Sequence, residues 1–239
     1  MHEHPDYREP GANPPEEHIQ LCDSEDFHKF FALDEEKRER ILNAAMKEFL
    51  AGYKKASTDT IVREAGISKG LLFHYFGTKE RLYNFLINYA IETIRKEYID
   101  LINVVQPDIL DSIWQMTLLK RDISNHYPDM FDFLTSTYMN VKDNGGSVNE
   151  NLMRFMQVRE EVVAKIYAHA DKTLFRDDID SETAMNIINW AMQGYSYAKM
   201  AEVDSSNPGA HAREHYDKYL EEFQKILGIL RLCFYQKEA

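Results

Sequence analysis

The stretch TDTIVREAGISKGLLFHYFGTK, residues 58–79, constrains the fold more than any other part of this chain. Thr58 offers a β-hydroxyl at a helix start, and Ile61, Val62 and Ala65 give a short helix one apolar face. Gly66 follows at once, where a left-handed residue ends such a helix. Ser68 is placed to cap a second helix, on which Leu72 and Phe76 stand four apart and share a buried side. The opposite side carries Lys69, Gly70, Phe73 and His74, with Leu71 and Tyr75 flanking it. Two short helices joined by a tight turn are the geometry that lays the second helix in the major groove of DNA.

A net charge of −12 over 239 residues conflicts with DNA binding until it is divided along the chain. Residues 1–33 carry 2 basic and 8 acidic side chains, residues 34–81 carry 10 and 8, and residues 82–239 carry 16 and 24. Only the middle segment is positive. Sequence-independent DNA affinity comes from phosphate neutralisation, so a mildly basic head on an acidic body discourages body-first docking. The overall acidity excludes a histone-like coating protein and leaves a site-specific one. The 44% hydrophobic content suits a globular chain. No apolar run approaches the roughly 20 residues of a membrane span, and the N-terminus lacks a basic-then-apolar leader, so a cytoplasmic protein is expected. Cys22 and Cys233 read as free thiols with no metal-ligand spacing around them.

Residues 1–33 read as an N-terminal arm: Pro5, Pro10, Pro14 and Pro15 with scattered acids predict flexibility. Phe27, Phe30, Phe31 and Leu33 are apolar enough to pin its end against the first helix of the segment 34–81, which Asp34 opens as N-cap. Thr78 caps a long helix predicted to run to about Val104, with Leu82, Phe85, Leu86, Tyr89 and Ile94 on its buried stripe. Further helices are predicted near 107–125, from Pro128, over 147–171, from Ser181 to about Glu202, and after Pro208 through Phe234. No strand alternation is present. The fold class is all-α.

Residues Glu36 to Leu86 resemble the DNA-binding domain of the TetR (tetracycline-repressor-like) family of bacterial transcriptional regulators. The likeness rests on Ile41 to Phe49, Gly52-Tyr53, Thr58, Ile61-Val62, Ala65-Gly66, Ser68-Lys69-Gly70, Leu72, His74-Tyr75-Phe76, Lys79-Glu80 and Leu82. Between Phe49 and Gly52 the chain is one residue shorter than the family's usual loop. The resemblance implies a three-helix helix-turn-helix head over 34–81 and a larger effector-binding and dimerisation bundle over 82–239. It further implies a repressor that binds a near-palindromic operator as a homodimer, released by a small apolar or aromatic effector.

Each DNA-facing residue has a physical role. Lys69 and Gly70 bring charge and bare backbone close to DNA, and Leu71 and Phe73 can meet thymine methyl groups. His74 can donate to a base or phosphate, while Thr58, Tyr75 and Lys79 resemble the family's phosphate contacts; Ser68 starts the reading helix. For the effector pocket that the resemblance implies, the expected residues are Trp114, Tyr138, Phe155, Trp190 and Tyr197, from an aromatic and methionine-rich set suited to a flat apolar ligand, with Arg159 and Gln193 as polar positions able to orient it. Ala191, Gly194 and Ala198 are small residues at helical spacing that let a partner helix approach.

Rival readings are weaker. His211-Ala-Arg-Glu214-His215 fits a short zinc-peptidase pattern, yet only 24 residues follow to supply a further acidic ligand. With no nucleophile–base motif or phosphate loop, no catalysis, metal or cofactor is expected. A helical adaptor explains the aromatic bundle but leaves the Ser68-to-Lys79 cluster unused. The nearest alternative is a ligand-independent DNA-binding regulator controlled by a protein partner.

Overall fold

A computed structural model of the chain describes residues 24–102, 106–139, 148–202 and 214–236. Ten α-helices account for most of them: α1 (Ser24–Phe31), α2 (Glu35–Phe49), α3 (Thr58–Ala65), α4 (Lys69–Phe76), α5 (Lys79–Ile102), α6 (Ile109–His126), α7 (Pro128–Met139), α8 (Val148–Ala168), α9 (Ser181–Glu202) and α10 (Tyr216–Phe234). Among the described residues the nearest thing to a strand is an isolated bridge between Phe175 and Tyr235. No described helix is long and apolar enough to cross a membrane. Most of the N-terminal arm, Cys22, the break at Asp143 to Gly146 and His211 lie outside the described residues.

Local chemistry sets the helix ends. Asp34 accepts from Lys37 N at 2.9 Å and caps α2. Asp108 accepts from the backbone N–H of Leu110 at 2.8 Å and caps α6. Thr78 Oγ1 accepts from Arg81 N at 3.1 Å at the start of α5. Each satisfies amides that the first helical turn leaves unpaired.

Two apolar cores organise the molecule. The first joins α2, α3 and α4 to Leu82–Ile94 of α5 and to Ile123, Met130, Phe133 and Leu134. The body is therefore docked into the head rather than tethered to it. Ser136 donates to Leu50 O at 2.9 Å, Tyr83 and Thr137 hydroxyls lie 3.3 Å apart, and Lys47 pairs with Asp129 at 3.2 Å. The sequence boundary at 81/82 thus falls inside a continuous core. The second core packs α6, α8, α9 and α10 around Ile109, Leu110, Ile166, Ile188, Phe223 and Leu227.

Helix α1 lies within the segment read as an arm. Phe30 is fully buried, with its ring 5.0 Å from Phe76 and 5.4 Å from Phe85. Phe27 adds a contact to Phe85 at 4.7 Å. Arg38 ties α1 to the first helix of the head, as expected, by donating to Phe31 O at 2.7 Å, while the aromatic rings also grip α4 and α5. Their partners are the large side chains of those two helices, which bury more surface per contact.

Candidate nucleic-acid interface

The reading unit is built by two caps and one glycine. Ser57, not Thr58, caps α3: its Oγ accepts from Thr60 N at 3.4 Å, and Thr58 is the first helical residue. The register is set from outside, because the Ser57 amide donates to Glu48 Oε1 of α2 at 2.7 Å. Gly66 ends α3 with φ 67°, a conformation that costs L-residues dearly, and its N–H reaches Arg63 O. Ser68 then caps α4 by accepting from Leu71 N at 3.2 Å.

Helix α4 splits into two faces. Leu72 and Phe76 are each 1% exposed and lie in the head core. Lys69, Gly70, Phe73 and His74 are exposed side by side on the outer face. A Cβ built on Gly70 would meet nothing closer than Ser68 Oγ at 4.0 Å, so its backbone is open to a close approach. Leu71 is half-buried against the core. Tyr75 is only 8% exposed, its ring 6.3 Å from Phe30, so any contact it makes with DNA is limited to its edge.

The charged groups are engaged within the head. Lys69 Nζ lies 2.8 Å from Asp59 Oδ1. Lys79 Nζ donates to Ala56 O at 2.5 Å and sits 4.8 Å from the Tyr53 ring centroid. Partial burial holds the Lys79 ammonium below the ordinary lysine range, with Glu48 opposing that shift. Asp59, Glu48 and Ser57 escaped the sequence reading. Asp59 and Lys69 are ten residues apart on different helices, a spacing that no helical period flags.

The seven expected effector residues separate. Trp190 and Tyr197 are 64% and 69% exposed, and Gln193 is exposed beside them, so among the described residues these three stand on the outside of the bundle. Trp114 and Tyr138 are half-buried, Trp114 against the second core. Phe155 and Arg159 belong to α8, with side chains outside the described set. Among the described residues a crevice of about 190 Å³ lies between head and body, walled by Leu42, Met46, Tyr89, His126, Tyr127 and Met130 among others.

The outward residues form a stripe. Ile187, Trp190, Gly194 and Tyr197 follow helical spacing on α9, and Ile229 and Leu232, at 60% and 79% exposure, lie on α10. The two helices are tied together by Tyr195 donating to Tyr219 O at 3.0 Å and by Lys199 pairing with Glu222 at 2.7 Å.

Residues 41–85 match the family model of bacterial regulatory proteins, tetR family. Over 176 residues the chain is 22% identical to the HTH-type transcriptional regulator SrpR of Pseudomonas putida, spanning 71% of this chain and 78% of that one. Its fold is similar to that of a TetR family transcriptional regulator from Chloroflexus aurantiacus, with TM-score 0.53, 20% identity and coverage of 88% and 98% of the two chains. It is similarly close to the MbdR regulator from Azoarcus sp. CIB, with TM-score 0.53, 19% identity and coverage of 75% and 96%. The head is a TetR-family DNA-binding domain in an all-α chain, and the family consists of transcriptional regulators rather than enzymes.

Proposed function

We propose that this chain, whose residues 41–85 carry a TetR-family DNA-binding head, is a cytoplasmic transcriptional repressor that binds a near-palindromic operator as a homodimer. The observation that carries the reading is the outer face of α4, where Lys69, Gly70, Phe73 and His74 stand exposed behind a capped glycine turn. One such face spans only a few base pairs, so two heads are needed for specificity, reaching half-sites about 34–36 Å apart.

The apolar stripe of α9 and α10 supports self-association. Trp190, Tyr197, Ile229 and Leu232 are costly to leave in water, and a two-fold partner presenting the same stripe would cover them. Gly194 has nothing within 4 Å of a built Cβ, which suits close approach of a second helix.

For release by a small apolar or aromatic effector, the residues retained are Trp114, Tyr138, Phe155 and Arg159. They lie on α6, α7 and α8, and all three helices pack against α5, the helix that leads directly from the reading unit. A ligand wedged among them would act on the tilt of α5 and weaken operator affinity by linkage, typically 1–3 kcal/mol.

The experiment is selection of bound fragments from the source genome, followed by sequencing and an effector screen on the enriched site. A near-palindrome is expected, and a screen in which compounds shift its affinity supports the effector. Failure to enrich any sequence at low salt counts against the repressor. An enriched site that no small molecule releases favours control by a protein partner.

A further inference from the structure

We propose that Asp59 governs the head's affinity for DNA of arbitrary sequence by holding the ammonium of Lys69 away from phosphate. The inference rests on the DNA-binding reading above and concerns how strongly the head clings to duplex it is not meant to read.

Asp59 is the second residue of α3 and Lys69 the first of α4, so their pair closes across the turn made by Gly66. It is short, 2.8 Å, and open to solvent, with side chains 73% and 50% exposed. An ion pair this exposed adds little to folding. Its consequence lies in what the ammonium is then able to do. Sequence-independent binding is almost wholly phosphate neutralisation, each neutralised phosphate adding about 0.9 to the slope of log affinity against log salt. A carboxylate in contact with the ammonium cancels most of its field at a phosphate lying farther off, and it repels that phosphate itself.

Neighbouring cations do not replace Lys69. Arg63 of α3 pairs with Glu64 at 3.1 Å, and Lys79 donates to Ala56 O. Both groups are thus engaged within the head, whose net charge is only +2 over residues 34–81, while Lys54 and Lys55 stand exposed in the loop before α3. Asp59 differs from Glu64 in a way that matters: its partner stands in the first turn of the reading helix itself, beside Gly70. Freed, Lys69 becomes a phosphate ligand wherever the head lands.

The test is fluorescence anisotropy with a duplex of arbitrary sequence, titrated between about 50 and 200 mM salt, on the full chain. Asp59→Asn is expected to bind more tightly than wild type, with a slope steeper by about 0.9, equal to an extra loss of about 3.5-fold across that range. Asp59→Ser, which retains a side chain suited to the first turn of a helix, should steepen the slope equally. Adding Lys69→Gln to Asp59→Asn should abolish the steepening. Wild-type binding with an unchanged slope in both Asp59 variants overturns this inference alone. An equal gain in the Lys69→Gln background also overturns it, because Asp59 would then act by repelling phosphate rather than by holding Lys69. A wild-type chain that binds no duplex at low salt overturns the DNA-binding reading itself, a result seen before any variant is compared.

Discussion

The ammonium of Lys79, the first residue of α5, donates to the carbonyl oxygen of Ala56, the residue before the α3 cap, at 2.5 Å. The same group lies over the Tyr53 ring, so the start of α5 clamps the loop that delivers α3. Family resemblance casts Lys79 as a phosphate contact, whereas its bonding in this chain is that of a strut. Lys79→Met should lower stability by about 1 kcal/mol and weaken DNA binding while leaving the salt slope unchanged, and Lys79→Arg should restore most of both. A slope reduced by about one in Lys79→Met would return the ammonium to phosphate.

Phe30 fills a fully enclosed site between α4 and α5 although it lies outside the matched residues 41–85. Phe30→Ala should cost about 3–5 kcal/mol in chemical denaturation. A change below 1 kcal/mol would mean that α1 is not part of the head.

Trp190 is 64% exposed on the stripe of α9, with Leu232 79% exposed on α10. A charge placed in the centre of a buried apolar interface is left unpaired. Trp190→Glu should therefore convert a dimer to a monomer in analytical ultracentrifugation, with the circular dichroism of the helices retained. A dimer that survives this change uses another face.

Asp108 is a three-way clasp. It caps α6, its Oδ2 pairs with Arg231 at 2.6 Å, and its Oδ1 accepts from the Tyr235 hydroxyl at 2.8 Å. Burial above all, with the Asp108 carboxylate adding to it, pushes the Tyr235 hydroxyl well above its ordinary range. Asp108→Ala loses the cap and leaves Arg231 with Asp111 alone, and a destabilisation of about 2–3 kcal/mol is expected by thermal melting. A value near zero would show that the Arg231–Asp111 pair and the backbone bonds to Leu174 and Arg176 hold the end of α10 without Asp108.

Acid should loosen the body. Hydrogen bonds from Thr173, Arg176, Thr183 and Lys199 hold Asp171, Asp178, Asp180 and Glu222 below their ordinary values of 3.8 and 4.5. A carboxylate with a depressed folded pKa contributes stability above its unfolded pKa and loses it as pH falls through the folded one. Below about pH 4.5 the unfolded state binds more protons, so the melting temperature should drop as pH falls. In Glu222→Gln that drop should be shallower; an identical profile would remove the Lys199–Glu222 pair from the account.

Helix identity was legible in the sequence because its causes are local. Asp34, Gly66, Ser68 and Thr78 do what their side chains or backbone freedom dictate within three residues of themselves. The buried stripe of α5 through Ile94 followed from helical periodicity in the same way. Tertiary structure decided what one helix cannot express. Thr58 and Ser57 are both capping types, and only Glu48, brought over by α2, selects Ser57. Trp190 and Tyr197 share a helix with the buried Ile188, and periodicity marks two apolar faces without saying which meets its own chain and which is left for another. Lys69 and Asp59 become a pair only when Gly66 turns one helix onto the next. Local bonding and periodicity act over one turn of chain, whereas the sense of a face and the partner of a charge depend on which surfaces pack together.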